Sequence, residues 1–203
     1  MKDAQGSLVQ GRTRWRRFAA VMVPSAVAVG AIVFGMANGA IAASFAVSGS
    51  SFKVSAGTLD GTGFVQYGGI AQEKNGTIHP VAVAGIPSAT ITNLCQSVVV
   101  PGTPFSVILR AGANGTPATA TNLSFDLTSL QADATFTNIN IGQDASTLSA
   151  AGPDAHGQAG GFGQQASHIT LTNVKQVAWS ASAGTFNLNG LDLQVSLTGA
   201  QCF

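Results

Sequence analysis

The segment Leu191-Asp192-Leu193-Gln194-Val195-Ser196-Leu197 decides the fold class of this chain, because apolar and polar residues alternate strictly along it. A period of two is that of a β-strand, in which successive side chains point to opposite faces of the sheet. The pattern therefore predicts a strand whose Leu and Val face is buried and whose Asp, Gln and Ser face is in water.

The same alternation recurs in residues 105–110 and 123–127, and no segment after residue 42 shows an apolar period of 3.6. Gly- and Asn-rich clusters at residues 74–77 and 112–117 predict turns between strands. We predict a single all-β domain over residues 43–203. Its architecture is expected to be a sandwich-like or partly solenoidal sheet stack, preceded by an N-terminal apolar signal or anchor helix.

One tetrapeptide pattern, an apolar residue followed by Thr, Asn and a second apolar residue, occurs four times. The four copies are Ile91-Thr92-Asn93-Leu94, Ala120-Thr121-Asn122-Leu123, Phe136-Thr137-Asn138-Ile139 and Leu171-Thr172-Asn173-Val174. Stacked copies would form an Asn/Thr ladder in a β-solenoid. Alternatively, Thr favours strands and Asn favours bulges and turns, which gives similar tetrapeptides in any β domain.

A Gly- and Ala-rich stretch separates the third and fourth copies of this pattern. We predict a flexible Gly-rich loop near residues 150–167, because such a composition buries little apolar surface. Long loops in compact domains are usually functional or disordered.

The N-terminal part has the three features of a secretory signal. Arg12, Arg14, Arg16 and Arg17 precede an uncharged, mostly apolar run over residues 18–42, which ends in Ala40-Ile41-Ala42. Small residues at this spacing predict cleavage between Ala42 and Ala43. The alternative is an uncleaved anchor in contact with the membrane, since the run exceeds the roughly 20 residues that span a bilayer. Either route places residues 43–203 outside the cell, secreted or on the extracellular face of the envelope.

Charge is scarce in the exported part. Residues 1–42 hold five of the nine basic residues and one of the eight acidic ones, which leaves four basic and seven acidic groups and a net charge of −3. Nucleic acid is excluded as a partner, because a phosphate-binding surface needs clustered Lys and Arg.

Two cysteines, Cys95 and Cys202, are present. An even number of cysteines in an exported chain predicts a disulfide, here across 107 residues. A bridge that closes so long a loop stabilises by about 4–5 kcal/mol on the chain-entropy account.

Catalytic signatures are weak. The G-x-S-x-G motif of α/β-hydrolases is absent, and Gly85-Ile86-Pro87-Ser88-Ala89 comes nearest to it. A triad can form without the motif, so Ser88 with His79 or His168 is the candidate catalytic set, and His156 is a further candidate base. The histidines lack the spacing of a zinc site, so we expect no metal and no cofactor.

Several long strings resemble a family of uncharacterised exported proteins from Streptomyces and related actinobacteria. They include Phe45-Ala-Val-Ser-Gly-Ser-Ser-Phe52, Gly63-Phe-Val-Gln-Tyr-Gly-Gly69, His79-Pro-Val-Ala-Val-Ala-Gly85, Gly160-Gly-Phe-Gly-Gln-Gln165 and the terminal Cys202-Phe203. Some members are named cholesterol esterase. The resemblance implies export through a Gram-positive envelope and a connection to apolar lipid.

These features favour a secreted or envelope-associated protein that is non-catalytic and binds an apolar lipid or an envelope protein. The alternative is a secreted cholesterol esterase, a carboxylic-ester hydrolase acting on lipid esters.

Overall fold

The computed structural model describes residues 46–203. The predicted signal or anchor segment, with its Ala42–Ala43 cleavage site, lies outside the described residues. The described part contains ten strands and one short 3₁₀ turn. They are β1 Ala46–Val47, β2 Phe52–Glu73, β3 Ile78–Thr92, β4 Leu94–Val99, β5 Ser106–Ala111, β6 Ala118–Thr137, β7 Asn140–Asp144, the turn Ala145–Thr147, β8 Phe162–Ser182, β9 Thr185–Asn187 and β10 Asp192–Ser196.

The all-β prediction is confirmed. Within residues 46–203, no helix is long and apolar enough to cross a membrane.

Four long strands close into a ring. β2 pairs with β3, β3 with β6, β6 with β8, and β8 returns to β2, every pair antiparallel. The interior of this ring holds the main apolar core, which includes Ile91, Leu123 and Ile169. The expected sheet stack therefore takes the form of one sheet that is closed upon itself.

The four Thr-Asn tetrapeptides are bends, two within ring strands (Asn122 in β6 and Asn173 in β8) and two between successive strands (Asn93 and Asn138). Asn93, Asn122, Asn138 and Asn173 all have left-handed backbones, with φ between 48° and 55°. Residues three apart in a regular strand point to opposite faces. Here both apolar residues of each tetrapeptide belong to the core or pack against it. The bulge and turn interpretation is confirmed, because each Asn turns the strand while its core face stays inward.

The predicted turn at residues 74–77 connects β2 to β3. Gly76 N donates to Glu73 O at 3.0 Å, and Glu73 N donates to Thr77 O at 2.8 Å. The stretch predicted as a flexible loop near residues 150–167 has two parts. Residues up to 161 lie over Val65, which they help to bury completely, and residues from 162 belong to β8.

Three strands leave the ring and form what we call the wing: β4, β5 and β10. β4 pairs with the start of β2, β5 with β4, and β10 with β5. β10 lies within the alternating segment of residues 191–197. The predicted buried face of that segment is wrong, because its four apolar side chains are 53–70% exposed. No second layer of the described part covers them.

The opposite face of the wing is covered by residues 198–203, which we call the tail. The predicted disulfide is confirmed, since Cys202 is bonded to Cys95 of β4. Cys202 N donates to Ser97 Oγ at 3.1 Å, and Ser106 Oγ donates to Ala200 O. Lys53 Nζ donates to Phe203 O at 2.9 Å and lies 5.0 Å from the Phe203 ring centroid. The tail is thus fixed by covalent, hydrogen-bond and cation–π contacts.

Candidate functional site

Ser88 and His168, two of the predicted catalytic residues, lie on the outer face of the ring. Ser88 is exposed and pairs with Thr62 of β2, and Thr62 pairs on its other side with His168 of β8. One strand therefore separates the two residues. Neighbouring strands are about 4.8 Å apart, so Ser88 and His168 are roughly 10 Å apart across the sheet. The fold does not bring them into hydrogen-bond contact.

His168 instead contacts a carboxylate. Its Nε2 lies 3.0 Å from Asp60 Oδ2, and Thr170 Oγ1 donates to the same oxygen at 2.9 Å. The hydrogen bond from Thr170 is the main cause that lowers the pKa of Asp60, partial burial opposes it, and His168 lowers it further.

His79 lies apart from Ser88 and His168 and makes other contacts. Its Nε2 is 2.8 Å from Glu73 Oε1, and its ring stacks on Trp179 with centroids 3.7 Å apart. His156 is exposed, and its Nδ1 lies 3.3 Å from Gly157 O. Within residues 46–203, no group of three or more His, Cys, Asp or Glu side chains is placed to hold a metal ion.

The inner surface of the ring continues onto the wing as one apolar face, which we call the open face. Across neighbouring strands it runs from Leu193 of β10 through Leu109 of β5, Gln96 of β4 and Val54 of β2 to Gln176 of β8. A parallel row contains Val195, Val107 and Val98. The open face therefore continues the apolar inner surface of the ring beyond the part of the ring that is closed.

A cleft of about 230 Å³ lies where the open face enters the ring. We call it the wing cleft. It is lined by Phe52, Gln96, Leu123, Ala181, Ser182, Ala183 and Phe186. Apolar and aromatic walls with a few polar groups are typical of small-molecule sites.

The wing cleft lies next to a small interior cavity of about 20 Å³. Gln96, Ala181 and Phe186 line both spaces, so the two are adjacent. Gln176 lines the interior cavity among aliphatic side chains.

Gln176 is the polar residue of this site that needs explanation. It is 4% exposed, and its side-chain amide makes no hydrogen bond to another residue that the structure describes. No fully enclosed side-chain N or O atom of the described part lacks a partner. Gln176 lines the interior cavity, which its side-chain amide can contact. Buried polar groups are normally hydrogen-bonded, and an unpaired amide is costly.

The lining of the two spaces offers apolar surface and side-chain amides. No ionisable side chain lines the wing cleft or the interior cavity. An amide both donates and accepts hydrogen bonds. The site can hold an apolar molecule and satisfy one polar group of that molecule.

Gln96 and Gln176 were not among the candidate residues predicted from the sequence. Each occupies an inward position of its strand, between Leu94 and Val98 in β4 and between Val174 and Ala178 in β8. A single Gln at an inward position between apolar residues is a signal that could have identified both.

Comparison with protein families supplies one match. The family model described as "Family of unknown function (DUF6230)" matches residues 48–203, which is most of the chain. Comparison with curated proteins and with solved structures gave no match. The protein belongs to this family of unknown function, DUF6230.

Proposed function

We propose that this protein is a non-catalytic exported protein of an actinobacterial cell envelope, which binds an apolar lipid in the wing cleft. The lipid would carry one hydrogen-bonding group. The observation that carries the proposal is the buried amide of Gln176, which lines the cavity behind that cleft and makes no hydrogen bond to another described residue.

The walls of the cleft select the apolar body of the ligand. Phe52 and Phe186 supply aromatic surface, and Leu123 supplies aliphatic surface. Removing apolar area from water contributes about 25 cal/mol per Å², which is the main driving force available here. The open face beside the cleft, with Leu193 59% exposed, gives a longer apolar chain further surface on which to lie.

The two glutamines select the polar group. Gln96 stands at the junction of cleft and cavity, and Gln176 stands deeper. A hydroxyl or an ester carbonyl that reached Gln176 would pair its amide. An ionised head group has no cationic partner among the lining residues, so a neutral lipid is favoured.

Several features support the exterior location. The leader at residues 18–42 is preceded by four arginines, and the Cys95–Cys202 disulfide is typical of oxidising compartments. The resemblance to exported actinobacterial proteins supports the same location. Some of those proteins are named cholesterol esterase, which supports a lipid as the ligand class.

Ester hydrolysis is the alternative, and one observation favours it. His168 and Asp60 form an imidazole–carboxylate pair like that of a hydrolase base. In this structure β2 lies between His168 of this pair and Ser88, which is the predicted nucleophile.

The test is a titration of the purified protein with dehydroergosterol, a fluorescent neutral sterol, and with cis-parinaric acid, a fluorescent fatty acid. We expect saturable binding with a preference for the neutral sterol. Phe186→Asp, which places a carboxylate in the cleft, should abolish it. Phe105→Asp is the matched control, because Phe105 is similarly exposed but lies outside the cleft.

An ester-hydrolysis assay distinguishes the esterase alternative from lipid binding. The protein is incubated with a p-nitrophenyl fatty ester and a cholesteryl ester, with and without a serine-reactive phosphonate. Hydrolysis that is lost with the phosphonate and with Ser88→Ala would establish the esterase. Absence of saturable sterol or fatty-acid binding would refute the lipid proposal.

A further inference from the structure

We infer that two copies of this chain associate through the free edge of β10, and this inference does not depend on lipid binding. β10 pairs with β5 on one side only, and no other described strand pairs with it. Its second edge therefore presents unpaired backbone N–H and C=O groups.

The two ends of the sheet differ in how they are protected. β7, at the other end, is interrupted by a bulge at Gly142, whose φ is 83°, and it carries mostly polar side chains. Bulges, prolines and charges normally prevent edge strands from pairing with other chains. β10 has neither bulge nor proline, and its one charged residue, Asp192, lies opposite Arg110 of its own chain. β10 is thus a regular edge that is open to pairing.

The sequence of β10 is complementary to itself in one antiparallel register. With Gln194 opposite the second copy's Gln194, Leu191 faces Leu197 and Leu193 faces Val195. The four exposed apolar residues of one copy then all meet apolar residues of the other. Such cross-strand aliphatic pairs stabilise sheets.

Charge favours the same register. Asp192 faces the second copy's Ser196, whereas a register centred on Asp192 would place two carboxylates opposite each other. The register centred on Gln194 also pairs every residue of the five-residue strand. The arrangement has two-fold symmetry, and each copy contributes the same surface, as in most homodimers.

The test uses two opposite charges at the centre of the pairing. Gln194 is exposed and points away from the open face, so Gln194→Lys and Gln194→Glu each leave the wing cleft unchanged. Each variant places like charges opposite each other across the symmetry axis. We expect the unsubstituted protein to be a dimer by sedimentation velocity at tens of micromolar, and each variant to be a monomer at that concentration.

Mixing the two variants supplies the decisive control. The lysine of the Gln194→Lys variant would face the glutamate of the Gln194→Glu variant, so an equimolar mixture should sediment as a dimer. Unsubstituted protein that stays monomeric throughout the concentration series would overturn the inference, whatever the variants do. Variants that remain dimeric, or a mixture that does not recover the dimer, would equally overturn it.

Discussion

Four of the five described asparagines with a left-handed backbone are those of the Thr-Asn tetrapeptides, and each bends the chain where it stands. At Asn173 of β8, Asn173 and Val174 together oppose Ala132 of β6, which is the geometry of a bulge. Asn tolerates positive φ better than other residues with a side chain, and Gly tolerates it best. The Asn173 side chain also donates to Asp133 Oδ2 at 2.8 Å.

Asn173→Ala is therefore expected to lower the free energy of unfolding by about 1–2 kcal/mol through the left-handed backbone alone. Asn173→Gly loses the same bond to Asp133 but not the backbone tolerance, so it should be distinctly less destabilised than the alanine variant. Urea unfolding of both variants measures the difference. Equal loss in the two would show that the side-chain bond, rather than the bend, matters.

Replacing Gln176 should have the opposite effect to replacing Asn173, because burying the Gln176 amide lowers the stability of the folded protein. Gln176→Met keeps the length of the side chain and removes an amide that makes no hydrogen bond to another described residue. We expect the free energy of unfolding to rise by less than the cost of a fully unsatisfied buried group, which is about 1–3 kcal/mol, because no fully enclosed side-chain N or O atom of the described part lacks a partner. Lipid affinity should fall about three- to tenfold with the loss of one hydrogen bond.

Gln164→Met is the control. The Gln164 side chain donates a hydrogen bond to Gln66, so this variant should be less stable than the unsubstituted protein. A Gln176→Met protein that is less stable would contradict the account.

Asp60 gives a dependence of stability on pH. Its pKa in the folded protein is lowered, whereas an unfolded Asp has a pKa of about 3.9. The folded state therefore binds the proton less tightly. The contribution of Asp60 to the free energy of unfolding is complete above about pH 4 and is lost as the pH falls through its lowered folded pKa.

The difference in unfolding free energy between wild type and Asp60→Asn should shrink below pH 4. A difference that does not change between pH 6 and pH 3 would contradict this assignment. Because the Asp60 side chain is about half exposed, the effect is small.

At the scale of elements, the tail and its disulfide determine which face of the wing is covered. The tail lies over Ser97, Ser106 and Ile108, all of which are buried. The apolar side chains on the other face of β10 stay exposed. One face of the wing is thus held closed by a covalent bond, and the other is left available.

Cys95→Ser with Cys202→Ser should destabilise the protein by about 2–5 kcal/mol, as for native disulfides of small exported domains. The loss should also raise hydrogen exchange at the backbone amides of β4 and β5, because the tail then detaches. Chemical denaturation and exchange mass spectrometry measure the two effects. Unchanged exchange in β4 and β5 would show that hydrogen bonds hold the tail without the disulfide.

How far the sequence predicts these elements depends on the range of the interactions involved. Strand alternation, the turn at residues 74–77 and the cysteine pair are local or compositional signals, and all three are confirmed. The burial of β10 could not be predicted, because alternation shows that two faces differ but not which face another layer covers. The ring depends on the β2–β8 pairing, whose partners are 96–126 residues apart.

The candidate site shows the same limit. Ser88 and His168 are the right residue types for a hydrolase, but Thr62 of β2 lies between them in the sheet. The Gln residues at inward positions of β4 and β8 were visible in the sequence. Their convergence on one cavity follows only from the register of β4 and β8 on either side of β2.

At the scale of the whole molecule, the part of the chain that the structure describes is a closed ring with an open wing. The ring buries its core, and the wing exposes a continuation of that core surface beside the mouth of a cleft. Stable domains usually cover such a surface with a second layer. In our account a lipid fills the cleft and a second copy extends the wing, so that the exposed apolar residues serve binding.

The side-chain amide of Gln176 tests this account most directly. Its two N–H signals can be assigned in a ¹H–¹⁵N spectrum by their loss in Gln176→Met, and those of Gln164 serve as the internal control. On saturation with dehydroergosterol we predict that the Gln176 signals shift and become protected from solvent exchange, while the Gln164 signals stay in place. Gln176 signals that do not change at saturating sterol would contradict the claim that this cleft is the lipid site.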